Sequence, residues 1–141
     1  MTTLNLKALL AASFVASASL ASAAAPPSYQ DADQWRRELR AAVDETGKAL
    51  RQSDLQARQG QRWAAIVSRA QILFGKDLSV HERFGSCTAA ATLLATAWQG
   101  QLANSRKPGT VDASAQTLQA FEAGSHYTAC RRDIDELESK R

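Results

Sequence analysis

The sequence predicts an all-α protein, an up-down four-helix bundle whose C-terminal helical hairpin is stapled by a disulfide. Three observations carry that expectation. Only three prolines and seven glycines occur in 141 residues, too few for a chain of short strands and tight turns, while the abundant alanine favours helix. Apolar residues then recur in steps of three and four through four successive segments. Finally, the two cysteines, Cys87 and Cys130, lie at equal distances from a Pro-Gly turn. The length suits one domain with a modest core.

The N-terminal residues predict export. Lys7 and the terminal amine precede an apolar run at residues 8–20 (ALLAASFVASASL), and Ala21-Ser22-Ala23 places small residues where a signal peptidase reads them. Residues 1–23 are therefore expected to be a signal peptide, with the processed chain starting at Ala24. The run is shorter than the roughly 18–20 residues that span a bilayer and is interrupted by serines. No cysteine neighbours the cleavage site to take a lipid anchor. The product is expected in the periplasm or outside the cell, with no membrane attachment. Residues 24–30, which contain Pro26-Pro27, read as a disordered mature N-terminus ahead of a single helical domain over 31–141.

The first helical segment spans about 31–50 and presents Trp35, Leu39, Val43, Thr46 and Leu50 on one face. A second starts at Ser53, where Ser53-x-x-Gln56 has the capping-box form, and runs to Gly75 with Leu55, Trp63, Ile66, Ala70, Leu73 and Phe74 inward. The break between them is expected at Ser53 or, alternatively, at Gly60. A third starts at Ser79, again with a capping-box pattern to Glu82, and carries Phe84, Cys87, Ala91, Leu94 and Trp98 to about Asn104. Pro108-Gly109 marks a turn. The fourth runs from about Asp112 to Glu138, with Ala120, Ala123, Tyr127, Cys130, Ile134 and Leu137 inward and Leu118 and Phe121 on the shoulder.

The cysteines fix the register of the last two segments. Their midpoint falls at 108.5, between Pro108 and Gly109, so an antiparallel hairpin brings both apolar faces and both thiols level. Two cysteines in an exported chain are expected to pair, which leaves neither as a nucleophile. Within that hairpin His126 is level with Ala91, and His81 lies about 15 Å further along the axis, so one metal ion does not take both. The only methionine is Met1, no Cys-x-x-Cys-His is present and no glycine-rich phosphate loop occurs. The carboxylates cluster as Asp31/Asp33, Asp44/Glu45 and Asp133/Asp135/Glu136/Glu138, in the positions of solvated helix faces. No catalytic, cofactor-binding or metal residue is expected.

Without the signal peptide the chain holds 16 basic and 14 acidic residues, a net charge of +2 that does not predict nucleic-acid binding. One basic pattern stands out. Arg62, Arg69, Lys76 and Arg83 recur every seven residues, and Arg51 and Arg58 precede them seven apart in an offset row. Arg58, Arg62 and Arg69 are the candidate partner-binding residues, suited to an acidic protein surface. The expected function is that of a non-enzymatic, exported interaction protein of the immunity, inhibitor or secretion-accessory kind. The alternatives are a small-molecule or cofactor carrier using the bundle interior, and a hydrolase with an unrecognised site.

Overall fold

The computed structural model describes residues 25–78 and 82–140. The expected signal peptide, Ser79 and His81 lie outside them. Four helices follow one another: α1 (Tyr29–Arg51), α2 (Ser53–Phe74), α3 (Gly85–Arg106) and α4 (Ala113–Glu138). Helix α1 begins two residues before the expected Asp31, because Ser28 caps it. The Ser28 hydroxyl accepts the Asp31 N–H at 3.1 Å and its carbonyl accepts that of Ala32. Lys48 and Arg51 in the last turn suit its C-terminal dipole.

A single extended residue, Gln52, separates α1 from α2, so the break falls at Ser53 and not at Gly60. The expected capping box does not form there. Ser53 is already the first helical residue, and Gln52 occupies the cap position without a side-chain bond. Antiparallel pairing of α1 and α2 is read from three contacts. The Trp35 indole donates to the Ile66 carbonyl at 3.1 Å, buried Gln59 donates to Ala42 O at 2.7 Å, and Arg69 meets Glu38. Buried donors thus find acceptors across the seam.

Helix α3 starts six residues later than Ser79. Glu82–Phe84 form a turn, closed by Gly85 N–H to Glu82 O at 2.9 Å, and Phe84 takes the left-handed conformation at φ 67°. That conformation costs energy for a residue with a Cβ and persists only where its surroundings hold it. Here the Phe84 ring is buried against Phe74 with centroids 5.7 Å apart, and Phe74 in turn sits edge-on to Trp35 at 4.9 Å. Residues 84–91 are all buried. Their small side chains (Ser86, Thr88, Ala89, Ala90, Ala91) let neighbours approach on every side, so α3 is the central helix. Its start is anchored to the preceding loop by Thr88, whose hydroxyl donates to Gly75 O at 2.8 Å.

The α3–α4 hairpin has the expected register. Cys87 and Cys130 form the disulfide, with Cα atoms 4.7 Å apart and both residues buried. At the turn, Asn104 exchanges two hydrogen bonds with the Val111 backbone, at 2.8 and 3.2 Å. Asp112 caps α4 through the N–H groups of Ser114 and Ala115. Trp35, Trp63 and Trp98 are all core residues, at 2% exposure or less. Two residues expected on inner faces are not enclosed: Val43 is 42% exposed, and Ala120 is exposed as well. Both sit where α1 and α4 face each other.

Candidate functional site

An up-down bundle closes when its first and last helices meet along their length. Here α4 lies along α3 and meets α1 only near one end. There Arg36 Nη1 contacts Asp135 Oδ1 at 2.7 Å, and the Tyr29 phenol bonds to Glu138. Arg36 also pairs with Asp33. Partial burial works against the Arg36 charge, but the hydrogen bonds to Asp33 and Asp135 outweigh it and raise the guanidinium above its ordinary value. The Tyr29 phenol is raised too, by loss of solvent first and then by the nearby carboxylates of Asp33 and Glu138. This clamp closes one end of the α1–α4 seam.

Beyond the clamp the helices enclose a groove of about 890 Å³. Its floor is apolar, built from Leu39 and Val43 of α1, Leu94 of α3, and Ala120, Ala123 and Tyr127 of α4. Its rim carries Arg36, Arg37, Arg40 and Arg131 against Asp33 and Asp44. Arg37 reaches Asp33 at 3.3 Å, whereas Arg40 and Arg131 are exposed and make no ion pair among the described residues. Val43 and Leu94 also line a second recess of about 340 Å³ that Trp63 of α2 helps to wall, so the two adjoin. Trp63 and Trp98 line that recess, and neither indole N–H has an acceptor among the described residues.

The basic row is organised differently from a free cationic stripe. Arg58 is exposed and unpaired among the described residues. Arg62 pairs with Glu45 across the α1–α2 seam, and Arg69 Nη1 lies 2.8 and 2.9 Å from the two oxygens of Glu38. Gln34 holds Glu38 from the other side at 3.1 Å. Two of the three candidate arginines therefore tie α2 to α1. A sequence signal for this existed: Glu38 and Glu45 share the seven-residue interval of Arg62 and Arg69, and both pairs are centred between Ser53 and Asp54. At the end of the row, Arg83 stands 5.0 Å over the Phe84 ring and 3.9 Å from Glu136.

A small polar recess of about 300 Å³ beside the disulfide gathers Glu82, Ser86, His126 and Asp133. Arg83 and Arg132 also line it. Among the described residues no three His, Cys, Asp or Glu side chains are grouped to hold a metal ion. No helix among them is long and apolar enough to cross a membrane. The groove between α1 and α4 combines an apolar floor with a charged rim, and a larger, more open recess on α4 lies beside it, lined by Phe121, Arg132 and Glu136 and sharing Ala120, Gly124 and Arg131 with it. Neither a protein-family model, nor a curated protein, nor a solved structure matches this chain.

Proposed function

We propose that this chain is a non-enzymatic, exported protein that works by binding another protein. The observation that carries the reading is the open α1–α4 groove, with an apolar floor and an arginine rim. Contiguous apolar surface bordered by polar residues marks interaction sites, and the charged rim steers a complementary partner. A buried disulfide fits an oxidising compartment. The arginines of α2 lie outside this groove: Arg62 and Arg69 are engaged within the fold, and Arg58 lines a separate recess beside Glu45 and Lys48.

The test places a photo-crosslinking amino acid at Val43, in the groove, and separately at Gln61, which is exposed on α2. Both forms are produced in the cell that makes the protein. Illumination should give a discrete protein adduct from position 43 and none from 61, and the purified product should begin at Ala24. A chain that yields no protein adduct from position 43, but carries a small molecule through purification, refutes the reading in favour of a carrier.

A further inference from the structure

The groove also describes its occupant. We propose that it receives an amphipathic helix of the partner, with the apolar stripe of that helix on Leu39, Val43, Leu94 and Tyr127 and acidic residues on its flanks beside Arg40 and Arg131. This rests on the protein-binding reading and names the element that binds.

Three features point to a helix. The first is length. The groove and the recess that adjoins it at Val43 and Leu94 together follow α1 from Arg36, in the clamp, to Leu50. Fourteen residues along α1 correspond to about 21 Å, or roughly four turns of an added helix. The second is the character of the walls. Ala120, Ala123 and Gly124 line the α4 side and Gly47 the α1 side. A Cβ on Gly124 would meet nothing within 4 Å, so the wall has open space there. Small wall residues let a helix axis come within the 8–10 Å of ordinary helix packing. The third is that the groove lies between helices already antiparallel to one another, with three of them supplying the floor. A helix laid there completes the seam that a closed bundle fills from within.

The charge of the rim selects the flanks. Arg36 and Arg37 are both drawn to Asp33, which leaves Arg40 and Arg131 without carboxylates of their own. Asp44 is the rim acid with no ion pair among the described residues. An incoming Glu or Asp thus gains a charge-assisted contact at either wall, and an incoming Lys loses one. The open side of the groove disfavours a small anion, which would stay half in water where a bound ligand is ordinarily mostly enclosed.

The probe is a synthetic 18-residue helix with a Leu/Ala stripe and Glu on both flanks, compared with the same peptide carrying Lys for every Glu. Binding to the exported chain is followed by backbone amide shifts. The Glu peptide should saturate, shift the amides of Val43, Leu94 and Ala123, and bind at least tenfold more tightly than the Lys peptide. In the chain carrying Arg40→Glu and Arg131→Glu, both exposed positions, the order of the two peptides should reverse while the helical circular dichroism is unchanged. Equal affinity for both peptides, shifts centred on Leu118 and Phe121, or no saturation overturns the proposal. So does occupation of the groove by laurate with no competition from the Glu peptide, or its closure in a dimer seen by sedimentation. A Val43 crosslink to a protein alongside peptide failure retains the binding function and rejects the acidic helix.

Discussion

Replacing both Cys87 and Cys130 by Ala should cost about 4 kcal/mol of stability. The bridge closes a sequence separation of 43 residues. In the chain-entropy model a loop of that size restricts the unfolded ensemble by about 13 cal/mol/K, which is about 4 kcal/mol at 25 °C. Both cysteines are fully enclosed, so the lost sulfur atoms also leave a small void that adds to the loss. Against a total of about 5–15 kcal/mol for an ordinary domain, this is a large fraction. It corresponds to a fall in Tm of about 15 °C for a chain of this size.

The assay is urea unfolding followed by tryptophan fluorescence. It suits this chain because Trp35, Trp63 and Trp98 report from α1, α2 and α3, and all three are buried. The m-value should rise in the double variant, since the freed unfolded chain exposes more surface. Wild-type protein reduced with dithiothreitol should match the variant closely. A loss below about 1 kcal/mol with an unchanged m-value refutes the reasoning, because the unfolded chain would then be no freer without the bridge. A reduced wild type that is much more stable than the variant would move the loss from chain entropy to the void.

Two further outcomes follow from named contacts. Arg69→Gln should lower stability by roughly 0.5–1 kcal/mol in low salt and less in high salt, because Glu38 loses its cross-helix partner; Arg58→Gln should stay within about 0.5 kcal/mol. A double-mutant cycle with Glu38→Gln checks that the Arg69 effect belongs to the pair. Asp112 is held below the ordinary carboxylate value by the Ser114 hydroxyl and the backbone N–H groups of Ala115 and Ser114. A depressed folded value means that its contribution is complete above pH 3.8 and is lost as pH falls through the lowered value. Thermal unfolding across pH 2–7 should therefore show Asp112→Ala less stable than wild type at neutral pH, with the gap closing in acid.

Those contacts also show which parts of the structure were legible in the sequence. The α3–α4 register was readable because two cysteines and a Pro-Gly turn are three fixed points on one line. Applied to α1 and α2, the same equidistance would have placed Glu38 opposite Arg69 and Glu45 opposite Arg62. The periodicity of the arginine row on its own helix does not show these cross-helix partners. The start of α3 was not readable. A capping-box pattern at Ser79 is a local signal, whereas the left-handed turn at Phe84 is set by its ring packing on Phe74, a contact with the end of another helix. Ser53-x-x-Gln56 marks the start of α2 correctly, although no capping box forms and the chain bends at Gln52 with neither glycine nor proline.

The groove was hidden for a different reason. An apolar stripe tells which face of a helix avoids water, not whether two such stripes meet. Val43 and Ala120 are apolar whether the seam is closed or open. What leaves it open is α3. Its first turns are buried on all sides and made of small residues, so α4 can pack along it while α1 packs mainly on α2 and meets α4 at the clamp. Helix α4 accordingly buries only Ala123, Cys130 and Ile134 fully among its 26 residues, and Phe121 remains 75% exposed. Three buried residues, one of them the bridging cysteine, are a small apolar anchor for so long a helix. The disulfide therefore does more than constrain the unfolded chain. It fixes α4 to α3 while most of the α4 surface stays unburied, and that is the condition under which a groove with one α4 wall persists.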